Sequence, residues 1–224
     1  MTRAPGKFRR ATASPRTALA LGALALASWL AGCHLLPTAL PDPVHLYLLD
    51  AAATAGRVVP PAAGALTLGL EPVELPTYLQ NRALALRRNG EIVYADNHRW
   101  VEPLDEALAR VVRARLLAAP GIAAVWPTPH PVGVGRDYDV TVRLLSCGGA
   151  RDVAGRMTAE FSAAIEIRRA GGTHEVVARD TFTAAPADWD GRDYGLLTAR
   201  LGADADQLAG KIISDLAAAS AAAR

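Results

Sequence analysis

The spacing of apolar and polar positions changes several times along this chain, and each change marks an element. Residues 45–50, His-Leu-Tyr-Leu-Leu-Asp, read as a first strand. Leu66, Leu68 and Leu70 alternate with Thr67 and Gly69, the period of a half-buried strand. The stretch 71–79 carries Pro72 and Pro76, which predicts an irregular or edge segment, because proline cannot donate to a ladder. Runs at 83–87 and 91–94 flank Arg88-Asn-Gly90, and Asn-Gly between two such runs signals a hairpin. From Pro103 the period becomes helical: Leu104, Leu108, Val111 and Leu116 form a stripe with Ala107 and Ala118, and Arg110 and Arg113 lie off it. Pro103 suits a first helical turn, Asp105 and Glu106 suit the positive end of the dipole, and Ala-Pro-Gly at 119–121 stops the helix.

The second half repeats the theme. Residues 122–126 form a short apolar run, 127–137 are rich in Pro and Gly and read as loop, and 138–144 and 157–167 alternate cleanly. Gly171-Gly172 turns the chain into a strand at 175–183. Leu197, Leu201, Ala205, Leu208, Ile212 and Leu216 then recur at helical spacing, although Gly195, Gly202 and Gly210 argue against one continuous helix. The Ala-rich end from 217 is expected to fray. Strands, a helix, strands and a helix predict an α+β fold: an antiparallel-rich mixed β-sheet with two main helices packed on one face, in a single domain.

The N-terminus has a different logic. Arg3, Lys7, Arg9, Arg10 and Arg16 precede an apolar run from about Thr17 to Leu30, and Leu-Ala-Gly-Cys33 follows. The run is short for a bilayer span, which takes about 20 residues, and suits a cleaved bacterial lipoprotein signal. An ordinary secretory signal with a coincidental cysteine is the rival. The expected organisation is a signal peptide at 1–32, a lipidated Pro-rich tether at 33–45, a domain at 46–219 and a frayed tail at 220–224. Cys33 would carry the acyl chains and hold the protein on a membrane surface outside the cytoplasm.

Cleavage changes the charge. The chain has 24 Lys and Arg against 22 Asp and Glu, and five of the bases but none of the acids precede Cys33. From Cys33 on there are 19 bases against 22 acids, a net charge of −3. That removes the basic surface on which nucleic acid binding depends. The other cysteine, Cys147, would have no intramolecular partner once Cys33 is a thioether; it reads as a small buried residue at a strand end, with an intermolecular disulfide as the alternative.

Motifs for catalysis are missing from the sequence: it holds no Gly-x-Ser-x-Gly, no His-Glu-x-x-His and no phosphate-cradling loop. Its histidines, at 34, 45, 98, 130 and 174, lack metal-ligand spacing. The run 188–193, Asp-Trp-Asp-Gly-Arg-Asp, lacks the spacing and terminal Glu of a calcium loop and reads as a polar turn. No cofactor or metal is expected. Leu75, Pro76, Tyr78 and Leu79, and Trp100 at a strand–helix junction, could be core or could form an apolar contact surface.

Leu75-Pro76-x-Tyr78-Leu79, then a hairpin, then Arg99-Trp100-x-Glu102-Pro103-Leu104 opening a helix, resembles the ABC-type transport auxiliary (PqiC-like) lipoprotein family. Where that family continues the first motif with an Asp-Arg-Pro-like stretch, this chain has Gln80-Asn81-Arg82, and only Arg82 keeps the pattern. The resemblance implies a non-enzymatic lipoprotein on the periplasmic face of the outer membrane. Its partners would be an MCE-domain (mammalian cell entry) protein and an inner-membrane ABC transporter that move phospholipid between membranes, with a possible homo-oligomeric ring. Leu75, Pro76, Tyr78, Leu79, Arg99, Trp100 and Glu102 are the expected partner-binding residues. His34 after the cysteine fits outer-membrane sorting. The alternatives are a lipoprotein that assists assembly of an outer-membrane machine, such as a lipopolysaccharide-export or pilus complex, and an envelope hydrolase with a polar pocket.

Overall fold

A computed structural model of the protein describes residues 43–50, 62, 64–172 and 174–222. Cys33, the signal peptide and most of the tether lie outside the described residues. Among the described residues, two helices and nine strands follow in the order β1 (His45–Tyr47), β2 (Leu66–Leu70), β3 (Ala83–Arg88), β4 (Glu91–Trp100), α1 (Leu104–Leu117), β5 (Ile122–Pro127), β6 (Tyr138–Arg151), β7 (Met157–Arg169), β8 (Val176–Thr183), β9 (Ala187–Asp188) and α2 (Tyr194–Ala222). The result is the expected α+β domain.

Strand β6 organises the sheet. β2 pairs with its first half in parallel through Leu68–Leu70, β3 pairs with its last residues in parallel, and β7 runs antiparallel along its other edge. β5 extends the sheet beyond β2, β4 and then β1 extend it beyond β3, and β8 and β9 both pair with β7. Four of the eight pairings are parallel, so the sheet is mixed, and the long ladders β6–β7 and β7–β8 are antiparallel. The proline-bearing segment after β2 fills the gap between β2 and β3: Glu71 N–H donates to Val140 O and Glu74 N–H to Val142 O, each at about 3 Å. Of the two alternatives for 71–79, irregular or edge, the segment takes the first: it is held against β6 inside the sheet and ends in a short 3-10 turn at Thr77–Leu79.

The hairpin forms at Asn89-Gly90, both with positive φ (49° and 87°), as a primed turn requires. Strand β6 continues past Leu144 to Arg151, further than the alternation suggested. A Cβ on Gly148 would lie 2.2 Å from Ala85 O, so the glycine lets β3 approach closely.

Both helices cover one face of the sheet. α1 buries Leu104, Ala107, Leu108, Val111, Val112 and Leu116, and α2 buries Leu197, Leu201, Ala205, Leu208, Ile212 and Leu216. These meet Val140, Val142 and Leu144 of β6 and Phe161, Ile165 and Ile167 of β7 in one hydrophobic core. The polar turn expected at 188–193 forms and starts α2: Asp190 Oδ1 accepts from the N–H groups of Arg192 and Asp193, and Asp193 Oδ1 accepts from Leu196 N–H at 2.9 Å. α2 is continuous through its glycines and runs on to Ala222. Among the described residues, no helix is long and apolar enough to cross a membrane.

Candidate partner-binding surface

Two sequence motifs 20 residues apart meet at one corner of the sheet, and Arg82 joins them. Its guanidinium donates to Val101 O, its own carbonyl accepts from Trp100 N–H at 2.7 Å, and Val101 N–H reaches Tyr47 O at 2.9 Å. The one position of the Gln80-Asn81-Arg82 stretch that keeps the family pattern is therefore the one that ties the strand–helix junction to the 3-10 turn.

Tyr78 lies on the sheet face opposite the helices. Leu84 and Leu86 of β3 point into the core, so Ala85 and Arg87 point the other way. Tyr78 is beside both, with Ile92, Ser146, Gly148 and Glu160 around it. Its hydroxyl donates to Leu145 O at 2.9 Å, and its own carbonyl accepts from the Tyr94 hydroxyl at 2.9 Å. Partial burial, then the nearby Glu160 carboxylate, push the Tyr78 phenol above its ordinary value. Glu160 itself is gripped by Arg87 through both oxygens. About 20 Å³ is free beside Tyr78, room for one water and not for a substrate.

The predicted contact residues separate into two groups. Leu75, Pro76, Tyr78 and Glu102 are half-buried and Arg99 is exposed. Leu79 and Trp100 are 3% and 2% exposed, which corrects their reading as direct contacts. Leu79 ends the 3-10 turn folded back on the sheet, and Trp100 takes the inward step of the pleat after Arg99. They hold the surface from below. Sequence reasoning missed Ile92, Tyr94 and Leu145, which are exposed next to Tyr78. Ile92 and Tyr94 alternate with Val93 and Ala95, and that alternation was the available signal for an outward face. Leu145 could not be found this way, because it sits in the β6 bulge between Leu144 and Ser146.

A second polar group forms at the start of β6 from residues far apart in sequence. Glu71, His130 and Asp139 bring one ligand atom each within 4.8 Å of one another. Thr128 and His130 contact the Glu71 carboxylate, and Arg136 donates to Asp139 at 2.7 Å. With the Arg136 guanidinium already on Asp139, the group reads as a hydrogen-bonded polar knot fastening the 127–137 loop.

Cys147 is a free, buried thiol facing Phe161 across the β6–β7 ladder, as the small-apolar reading of it required, but it lies within β6 and not at a strand end, because β6 runs on to Arg151. Burial, then the nearby Asp204 carboxylate, push its thiol far up.

The family model for the ABC-type transport auxiliary lipoprotein component matches residues 47–213. Among solved structures, the chain is similar to protein XCC0632 from Xanthomonas campestris, with a TM-score of 0.61 and 18% identity over 76% of this chain and 93% of that one. A crystal structure of an uncharacterized protein matches with a TM-score of 0.55 and 18% identity, covering 76% and 97%. The hypothetical protein CT253 from Chlamydia trachomatis follows at 0.48 and 11%, covering 68% and 95%. At these identities the first two likenesses speak for the fold. A search of curated proteins gave no match.

Proposed function

The chain belongs to the ABC-type transport auxiliary lipoprotein component family, and on that basis we propose that it is a non-catalytic subunit of an MCE/ABC-type intermembrane phospholipid transport system. Cys33 anchors it by acyl chains to the periplasmic face of the outer membrane. The domain docks an MCE-domain protein served by an inner-membrane ABC transporter, and copies of the chain assemble into a ring. The observation that carries this reading is the extent of the family match, which runs from β1 to late in α2 and so takes in nearly the whole folded domain. The corner closed by Arg82 supports it. Leu75, Pro76, Tyr78, Arg99 and Glu102 are each at least partly exposed, the mixed apolar and polar character that a protein partner covers, and Leu79 and Trp100 are buried.

The test is affinity purification of the full-length acylated protein from detergent-solubilised envelopes. The expected result is co-purification of an MCE-domain protein, reduced when Tyr78 or Arg99 is replaced by a residue of opposite character. Recovery of a large β-barrel protein instead, from cells in which the lipoprotein is correctly localised, favours a role in assembling an outer-membrane machine.

A further inference from the structure

The edge of the sheet where the tether joins the domain is not used by the core. In 45–50 the burial alternates: Tyr47 and Leu49 turn inward, Leu49 being fully buried, and Leu46 and Leu48 turn out at 61% and 48% exposure. Val101, hydrogen-bonded through its N–H to Tyr47 O, adds a third apolar side chain at 41%. Arg99 is in register with Leu46 and exposed.

This edge is stiff. The carbonyl of Leu49 accepts from the Arg110 guanidinium at 2.7 Å. The same guanidinium pairs with Glu102 at 2.7 Å and lies 3.9 Å from Asp50, so the two nearby carboxylates are opposed by a cation. Leucines presented in this way lose little further freedom when they are covered.

We propose that this edge, Leu46, Leu48 and Val101 with Arg99, rests on the lipid surface that carries the anchor, the side chains entering the headgroup layer. The inference rests on the Cys33 anchor reading. Only eleven residue steps separate Cys33 from Val44, a span of at most about 40 Å when extended and ~34 Å at the roughly 3.1 Å per residue of a Pro-rich linker. The domain face bearing the tether junction therefore stays within that reach of the bilayer. A short link of this kind holds a patch near its target at an effective concentration on the order of millimolar, so a contact too weak to bind a free protein is occupied. An exposed arginine beside apolar side chains suits an anionic headgroup above an acyl layer.

The experiment uses the full-length acylated protein in vesicles of phosphatidylethanolamine and phosphatidylglycerol carrying nitroxide-labelled lipid. Leu46→Cys, in a Cys147→Ala background, carries an environment-sensitive fluorophore. Val132→Cys and Val153→Cys, both at fully exposed positions, serve as references. The expected result is several-fold stronger quenching and a blue shift at position 46, weakened by Leu48→Asp. Equal quenching at all three positions overturns the inference and leaves the anchor intact. So does a label at 46 that becomes buried only as protein concentration rises, which assigns the edge to a second copy. A mass lacking acyl chains at Cys33 overturns the anchor reading, and this inference falls with it.

Discussion

The carbonyl oxygen of Asp50 lies where a side chain would begin on Gly202: a Cβ there would be 2.0 Å from it. The end of the first strand segment is thereby laid directly on α2. Gly210, on the same helix, has nothing within 4 Å of its missing Cβ.

Gly202→Ala is therefore expected to destabilise the domain, by about 1–3 kcal/mol of overpacking, although alanine is the better helix former by ~1 kcal/mol. Gly210→Ala is expected to be neutral or stabilising by up to about 1 kcal/mol. Urea unfolding of the two variants checks this. Equal effects of the same sign would show that Gly202 has no special contact.

Asp204 is a carboxyl on the buried side of α2, 7% exposed, and burial raises its pKa to about 6 against the opposing pull of Arg200. The unfolded chain releases this proton near pH 4 and the folded one near pH 6. The group's contribution therefore falls as pH rises through that interval, and the full cost is present above it. At about 1.4 kcal/mol per unit, the cost is on the order of 3 kcal/mol. Asp204→Asn is expected to raise the urea midpoint at pH 7.5 and to change it little at pH 4. A variant equally destabilised at both values contradicts the burial argument.

These two positions show what the sequence could and could not disclose. The longer strands, both helices and the Asn-Gly hairpin are local patterns and were legible, whereas the two-residue β9 at Ala187–Asp188 showed no such pattern. Gly202 argued against a continuous helix in the sequence, because its reason for being glycine lies at Asp50, some 150 residues earlier. The parallel pairings were hidden for the same reason, since no local signal places β2 and β3 end to end along β6. At the candidate surface, Tyr78 and Arg99 could be picked from the motifs. That Trp100 is core could not, because its burial depends on α1 and α2 covering that side of the sheet.

Trp100 offers a direct separation of core from surface. Trp100→Ala is expected to cost about 3–5 kcal/mol through the cavity it leaves. Arg99→Glu, one residue earlier and exposed, is expected to leave stability within about 0.5 kcal/mol. Thermal unfolding distinguishes them. If partner co-purification fails for Arg99→Glu at full stability, the loss belongs to the surface.

Cys147 is buried and its thiol is pushed far up, so the reactive thiolate is scarce in the folded protein. Modification by a thiol-disulfide reagent at pH 8 is expected to be slow in buffer and complete within mixing in denaturant. Rapid stoichiometric labelling of the native protein would mean that the niche beside Tyr78 opens freely.

His98 gives acid an opposite, local effect. Its ring stacks on Tyr194 at 3.8 Å and on His45 at 5.2 Å, and its Nδ1 meets the Tyr47 hydroxyl at 2.8 Å. It thus ties β1 and α2 to β4. Burial, then the His45 ring, hold its pKa below the ordinary 6.5. For a depressed histidine the contribution is full above the unfolded value and is lost as pH falls toward the folded one. The groups facing this stack are Asp193 beside Tyr47, and Arg88 and Asp96 beside Tyr194. The three-residue β1, whose one strand partner among the described residues is β4, is expected to loosen below about pH 6.5, while the neutralisation of Asp204 steadies the core. Hydrogen exchange should then show faster amide exchange at Leu46 and Tyr47 at pH 5 than at pH 7.5, after correction for intrinsic rates, with protection in β6 and β7 unchanged or increased. Uniform behaviour of both regions would mean that the stack does not control the edge.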